Sequence, residues 1–415
     1  MASSPSIAST NVGRSLAPAA ERLPFEMLQQ ILAFGHQSLQ PAEISRFVVT
    51  VSHVSRFWRS VSLQQGCLWT TLDLAWSNWH WGVWAERAGD KPLHCVLRSS
   101  VASQAEVQKR LEQYSSRISS LMLAVSREDI EDAEFVANST HFPALTSLII
   151  NVNNGNHTNR HPYEPDPFEV ISLGRNMPQL ESLDVHGAYT LNISSVAHGL
   201  KHLSIDLSDW ALPDWLNTLR TCVNMESLQV TWELPCSAWE WGEGPDECPI
   251  IMTSLRTLEI SVDQTSVLAF LNSLRLPILE TFRLEVIDRC LLWDRRIGGI
   301  EAFLASLCSL NELTITSYAS FLSDFLPWLS WNPRAVSPQL LPSLKSLLLR
   351  AYGDPLRLEA DQQQDYFDDV AQELMRLVKS RFQQSTTKQN HVLQPFDPLS
   401  LLDVCTPHVE WSRPP

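Results

Sequence analysis

Two apolar stripes of helical period follow residue 22. From Leu23 the chain reads LPFEMLQQILAFGHQ, in which apolar residues recur at steps of three and four. This spacing predicts a helix that starts at Pro24, because proline loses no hydrogen bond in the first turn, and that stops at Gly35. A second stripe with the same steps runs from Ile44 to Val61 and predicts a further helical segment.

Much of the remaining chain repeats one short pattern, L-x-x-L-x-(I/L/V), with conservative replacements in some copies. The nine copies begin at Ile118, Leu145, Leu180, Leu200, Met225, Leu255, Leu279, Leu310 and Leu344. Their average spacing is about 28 residues, within the range of leucine-rich repeats. Positions four and six of the pattern are two residues apart, so both side chains point to the same face of a short strand.

Apolar helical stretches separate these strands, for example at residues 215–222, 268–274 and 303–310. A unit of one strand and one helix cannot bury its apolar face alone, whereas stacked units share a continuous core. We therefore predict an α/β fold in which helical crossovers join parallel strands that line the concave side of an array. Two further strands are predicted earlier, at residues 69–74 and 93–97.

The C-terminal segment has the pattern of a cap. Apolar residues recur at helical spacing over residues 367–382, with aspartates near the start and Lys and Arg near the end, an order that suits the helix dipole. Residues 398–404 predict a final strand. These elements are expected to close the array, since terminal units need a polar outer face.

The order of residues in the first helical block resembles the F-box motif. The matching residues are Leu23-Pro24-x-Glu26-x-Leu28-x-x-Ile31-Leu32, then Val54-Ser-Arg-Phe-Trp58-Arg59, then Leu68-Trp69. The match spans residues 21–70 and is most similar to the F-box-like variant that is abundant in mushroom-forming fungi. Ser55 stands where that family most often has cysteine.

A second stretch extends the resemblance. Residues 83–93 read VWAERAGDKPL, which resembles the Trp-x-Glu-Arg-x-Gly stretch that follows the F-box in fungal F-box/repeat proteins. The Asn or Cys that follows the strand in regular leucine-rich repeats is absent from most units, so we expect less uniform turns. The predicted regions are a flexible leader (1–20), an F-box-like helical domain (21–70), an irregular leucine-rich-repeat solenoid (71–355) and a C-terminal capping helix and strand with a tail (356–415).

The resemblance also implies a function. An F-box binds a Skp-type adaptor within a cullin-based ubiquitin ligase, and the repeat surface then holds a target protein. The implied adaptor contacts are Leu23, Pro24, Met27, Leu28, Ile31, Leu32, Val54 and Trp58. The alternative is a leucine-rich interaction scaffold with no ligase role, in which the helices only cap the array.

Composition and charge narrow the classes of partner. The 415 residues are 44% hydrophobic and 19% charged, which suits a large core and excludes wholesale disorder. The net charge of −15, without a basic run, argues against nucleic acid and favours a basic target surface. We find neither a secretory signal nor an apolar run long enough to span a membrane, so no membrane contact and a cytoplasmic or nuclear location are expected.

The sequence gives little support to catalysis or metal binding. It has no nucleophile-elbow, zinc-protease, phosphate-loop or dinucleotide motif, so we expect no catalytic residue, no metal and no cofactor. Eight scattered cysteines without C-x-x-C spacing are expected to be buried, reduced thiols. His157 and His161 have zinc-finger-like spacing but lack an upstream cysteine pair.

A Trp-rich acidic loop at residues 232–249 is the candidate target-binding element. Exposed Trp beside carboxylates can anchor a Lys- or Arg-bearing partner through apolar area and cation–π attraction. The candidate contacts are Trp232, Trp239, Trp241 and Glu243. Alternatively, the loop folds back over an edge of the array. A second cluster is expected to pack between the helical block and the first repeats, and it contains Trp76, Trp79, Trp81 and Trp84.

Overall fold

A computed structural model describes residues 23–39, 41–98, 104–126, 129–153, 170–187, 190–206, 212–232, 249–262, 270–271, 273–286, 303–304, 306–318, 341, 343–352 and 372. The chain divides into two compact units at the boundary between Val96 and Leu97. The first unit is mainly helical, and the second is built on a parallel sheet, which confirms the predicted α/β class. The predicted boundary at residue 70, between an F-box-like domain and a repeat array, stays a prediction.

Three consecutive helices begin the first unit. They are α1 (Phe25–Gln37), α2 (Pro41–Val54) and α3 (Arg56–Gln64). Pro24 directly precedes α1, and Glu26 lies in its first turn, where the helix dipole favours a negative charge. The predicted stop at Gly35 is wrong. Gly35 lies inside α1, where a Cβ atom would come within 3.0 Å of Phe47 Cζ, so this glycine lets α2 approach closely.

Ser55 divides the second predicted helical stripe into α2 and α3. Its backbone is extended (φ −156°, ψ 172°), and its Oγ accepts a hydrogen bond from the Trp58 N–H at 3.3 Å. Arg59 Nε donates to the Ser52 carbonyl oxygen at 2.9 Å across the same corner. The residue that departs from the usual cysteine of the F-box pattern therefore serves as the N-cap of α3, a position that favours serine.

A tryptophan-rich segment follows the three helices. It contains a 3₁₀ turn (Gly66–Trp69), β1 (Thr71–Asp73), α4 (Asn78–Ala88) and β2 (Leu93–Leu97), and β1 pairs with β2 in parallel. The ring centroids of Trp69 and Trp84 are 4.8 Å apart, and the Arg87 guanidinium lies 4.3 Å from the Trp69 centroid. Within the predicted tryptophan cluster, Trp81 and Trp84 are buried, but Trp79 is 70% exposed. This part of the first unit is therefore packed around aromatic rings.

The second unit contains the remaining strands. In chain order they are β3 (Ile118–Ser126), β4 (Ser147–Asn153), β5 (Val170–Ser172), β6 (Ser182–His186), β7 (Thr190–Asn192), β8 (His202–Asp206), β9 (Ser227–Trp232), β10 (Ile250–Ile251), β11 (Thr257–Val262), β12 (Leu274–Arg275), β13 (Thr281–Val286), β14 (Glu312–Tyr318) and β15 (Ser346–Tyr352). β5 pairs with β7 and β10 with β12 in two small parallel sheets. The other nine strands form one parallel sheet in chain order.

The register of this sheet aligns the repeated apolar residues. Leu228 of β9 lies opposite Leu203 of β8 and Leu258 of β11, and the other copies align in the same way. From β3 to β14, the residues at positions one, four and six of the pattern are at most 2% exposed. The nine strands predicted from the repeat are therefore confirmed, and each adds its apolar face to a core shared with its neighbours.

A row of main-chain hydrogen bonds precedes the strands. The carbonyl oxygen of Lys201, at position two of its copy, accepts from the N–H groups of Glu226 at 2.7 Å and Ser227 at 2.9 Å. The same double acceptance recurs at position two of every copy from Thr146 to Asn311. These bonds connect successive repeats. They also supply hydrogen-bond partners for backbone N–H and C=O groups in repeats that lack the Asn or Cys of regular leucine-rich repeats.

Charged side chains alternate in sign along the same row. Its central residues are Glu181, Lys201, Glu226, Arg256 and Glu280. Lys201 Nζ lies 2.7 Å from Glu181 Oε1, and this hydrogen bond and charge raise the pKa of Lys201. Arg256 pairs with Glu280 in the same way. Exposed pairs of this kind contribute little individually, but the alternation avoids like charges on adjacent strands.

The described part of the second unit also contains three α-helices that connect strands along the chain. They are α5 (Gln104–Tyr114), α6 (Ile130–Ser139) and α7 (Leu212–Thr221). The rings of Phe282 and Phe303 meet edge-on at 5.6 Å, which packs the helical stretch near residue 303 against β13. The predicted leader and C-terminal cap lie outside the described residues, apart from Gln372.

The shared core gives a prediction for stability. Leu228, at position four of its repeat copy in β9, is fully buried. Its neighbour Gln229 is exposed on the opposite face of the strand. We expect Leu228→Ala to lower the free energy of unfolding by roughly 2–5 kcal/mol, because it leaves a cavity between stacked strands. The control Gln229→Ala should change it by less than about 0.5 kcal/mol. Urea unfolding measures both, and equal effects would contradict this assignment of faces.

Candidate functional site

One side of α1 carries three large apolar side chains that face solvent. Met27, Ile31 and Phe34 are 48%, 46% and 73% exposed, and their spacing of four and three residues sets them on one side of the helix. Leu28 and Leu32 are 0% and 1% exposed and belong to the core. Helix α1 is therefore apolar on two sides, and the protein buries only one of them. Met27, Ile31 and Phe34 are termed the α1 stripe below.

The neighbouring helices also carry exposed apolar side chains. Val49 and Val54 of α2 are 47% and 54% exposed, and Leu63 of α3 is 39% exposed. Single exposed apolar residues are ordinary on protein surfaces, but a concentration of them in one small unit is typical of an interaction site. Residues 25–64 thus combine a closed core with an apolar exterior.

The eight predicted adaptor contacts divide into surface and core positions. Pro24, Met27, Ile31 and Val54 are exposed, and Leu23 and Trp58 are half-buried. Leu28 and Leu32 are buried and hold α1 in position in the folded unit, and their contact with an adaptor stays a prediction. Phe34 is missing from the predicted set, although its spacing from Met27 and Ile31 marks it as part of the same stripe.

Two histidines of the first unit interact electrostatically: His36, half-buried in the last turn of α1, and His94 in β2. Burial lowers the pKa of both imidazoles, and a charge on His94 lowers that of His36 further. His36 Nε2 is buried and has no hydrogen-bond partner among the described residues. The fold therefore favours the neutral form of both side chains.

The predicted target-binding residues fall mostly outside the described part of the chain. Trp232 is the last residue of β9, but its side chain is not described. Trp239, Trp241 and Glu243 lie outside the described residues altogether, as do His157 and His161. The role of the acidic loop stays a prediction.

The face of the sheet opposite the leucines is polar and mainly acidic from β6 to β14. Its carboxylates belong to Asp184, Asp206, Glu259, Glu285 and Glu312. Arg283 Nη1 lies 2.7 Å from Glu259 Oε1, and His186 Nε2 lies 2.8 Å from Asp184 Oδ1. Carboxylates outnumber basic groups here, so this face attracts cationic side chains.

The cysteines correct one prediction. Cys95 and Cys222 are buried, and burial raises the pKa of both thiols, that of Cys222 to about 11. Cys67 and Cys308 are exposed, contrary to the expectation of buried thiols, because each lies in a turn between elements. Within the described ranges, no three side chains of His, Cys, Asp or Glu come together in a group that could hold a metal ion.

Comparison with known proteins gives no match, either to a family model or to a curated protein. Across the ranges that the structure describes, no helix has both the length and the apolar character needed to cross a membrane.

The lowered histidine pKa values predict an acid-sensitive first unit. In the unfolded chain, His36 and His94 bind protons below about pH 6.5, whereas the folded unit resists protonating them. Stability should therefore fall as the pH drops below about 6.5 and continue to fall until the folded-state pKa values are reached.

Thermal unfolding measured at about pH 7.5 and about pH 5 tests this expectation. The double variant His36→Gln with His94→Gln should lose part of the pH dependence, since glutamine does not titrate. The exposed Gln30→Asn, which neither adds nor removes a titrating group, serves as the control and should leave the dependence unchanged. A pH dependence that is the same in all three proteins would refute the assignment to His36 and His94.

Proposed function

We propose that this chain is a substrate-recognition subunit of a Skp-cullin-F-box type ubiquitin ligase. Its F-box-like helices bind the Skp-type adaptor through the α1 stripe. Its repeats form an irregular leucine-rich-repeat solenoid, with the parallel strands on the concave face, and bind a target protein. The chain performs no bond chemistry itself: it holds the target near the ubiquitin donor in the cytoplasm or nucleus and raises the effective concentration of the target's lysines.

The α1 stripe is the observation that carries the adaptor interface. Three large apolar side chains remain 46–73% exposed on a helix that already contributes Leu28 and Leu32 to the core. A partner helix or groove that covers them gains roughly 25 cal/mol for each Å² of apolar surface removed from water. The stripe lies in the stretch whose Leu-Pro opening, Val54–Trp58 step and closing Leu-Trp resemble the F-box motif.

The stacked repeat supports the second half of the proposal. Apolar residues at fixed positions of a pattern with a period of about 28 residues align across neighbouring strands, as leucine-rich repeats require. In such an arrangement the polar positions of each strand are free to vary, because they do not contribute to the core. Recognition of a target can therefore be encoded there without loss of the fold.

The charge of the polar face indicates the kind of target. Its carboxylates are opposed mainly by Arg283, which is already paired with Glu259. A target segment rich in Lys and Arg would meet complementary charge on this face, and the net charge of −15 would speed its association. We therefore propose a basic target.

Adaptor binding tests the proposal through a single side chain. Ile31→Glu adds a charge at the centre of the α1 stripe and should weaken binding of a purified Skp-type adaptor more than roughly tenfold, because the charge would be buried without a partner. Gln37→Glu, an exposed and nearly isosteric change at the end of the same helix, is the control and should bind normally. Titration calorimetry measures the affinity, and circular dichroism verifies that both variants are folded.

A second variant addresses the motif itself. Leu23→Ala combined with Pro24→Ala should abolish recovery of the adaptor by affinity purification and mass spectrometry, an experiment that also identifies the target. Retention of the adaptor by the double variant would refute this interface. A folded wild-type chain that binds no adaptor would instead favour the alternative, a leucine-rich interaction scaffold with no ligase role.

A further inference from the structure

The last strand of the sheet is packed differently from the others. In β3 to β14, the residues at positions one, four and six of the repeat are at most 2% exposed. The equivalent residues of the final copy, Leu344, Leu347 and Leu349, are all partly exposed. Among the described strands, the apolar core is therefore closed from β3 to β14 and less completely closed at β15.

One edge of β15 also has no described pairing partner. Its residues pair with β14 from Ser346 to Tyr352, and among the described residues no strand pairs with its other edge. An edge strand that presents both unpaired backbone groups and apolar side chains is a template for one more strand. A loop or helix could cover the leucines, but only a strand also supplies the missing hydrogen bonds.

The sequence that follows β15 contains a suitable strand. Leu399-x-x-Leu402-x-Val404 reproduces the repeat pattern of the nine described strands. The helical stripe at residues 367–382 precedes it, in the same order in which α7 precedes β9. Pro398 stands directly before the pattern, and the start of a strand is where a sheet tolerates proline.

We propose that residues 399–404 of the same chain dock on the open edge of β15 as a tenth parallel strand. The register of the other copies sets Leu402 opposite Leu347 and Val404 opposite Leu349, so the segment completes both the apolar core and the hydrogen bonding at this end. Intramolecular pairing has the advantage that the tether raises the effective concentration of the segment at the edge.

This register makes a prediction that a single substitution can test. It sets Cys405 opposite Arg350, at position seven of the respective copies. Adjacent strands lie about 4.8 Å apart, within the Cα separation of about 4.4–6.8 Å that a disulfide allows. Arg350→Cys in the full chain should therefore form a disulfide with the native Cys405 under mild oxidation by copper phenanthroline, detected as a linked peptide pair after proteolysis.

The neighbouring substitution Ala351→Cys is the matched control, because it lies one residue away from the position that the proposed register sets opposite Cys405. It should give little or no link to Cys405. A link confined to Arg350→Cys within one chain supports the proposal. A covalent dimer through the same residues would show that a second copy covers the edge, and that result or the absence of any link would overturn the proposal.

A second measurement does not depend on a disulfide. Leu402→Asp, at a core position of the proposed strand, should make the edge-facing amides of β15 exchange hydrogen on the order of tenfold faster. Leu401→Asp introduces the same charge one residue earlier, on the opposite face, and should leave the exchange unchanged. Equal protection of β15 in both variants and the wild type would refute docking of residues 399–404.

Discussion

The second unit depends on one constraint: a single strand with its helix cannot bury its own apolar face. Leu228 is fully buried only because Leu203 and Leu258 lie on either side of it in register. The main-chain hydrogen bonds from Lys201 to the next repeat form only in this register. The same register sets the alternating charges beside them next to each other. A shift of one strand by one residue would expose its leucines and misalign both rows at once, so these interactions select a single alignment.

The same constraint separates folding from recognition. Positions one, four and six are restricted to large apolar residues, whereas the positions between them include serine, threonine, glutamine, glutamate and arginine. The sheet therefore presents a polar face whose charge can change without disturbing the core. In the first unit the separation is less complete, since α1 uses one apolar side for the core and exposes the other.

The regular part of this structure could be predicted from the sequence, because a repeated pattern reports the same physical requirement nine times. Features that depend on a single tertiary contact could not be predicted in this way. Glycine is a common residue at helix ends, but Gly35 lies within α1, where the absence of a side chain makes room for the ring of Phe47. The apolar stripe continues past Ser55, but the helix is interrupted there because the Ser55 side chain caps α3. The motif that predicted the candidate interface could not distinguish buried Leu28 from exposed Ile31, since both residues are apolar. The helices that pack against α1 within the first unit determine which of the two is covered.

The α1 stripe and the partly exposed leucines of β15 require different kinds of cover. On α1 the backbone hydrogen bonds are made within the helix, so the α1 stripe lacks only apolar contact. A partner can supply that contact with side chains alone and can dissociate without leaving backbone groups unpaired. At β15 the partly exposed leucines accompany a strand edge that has no partner among the described residues, and a cover without backbone pairing would leave N–H and C=O groups buried and unsatisfied. The helix surface therefore suits a separate partner, whereas the strand edge suits a permanent segment of the chain itself.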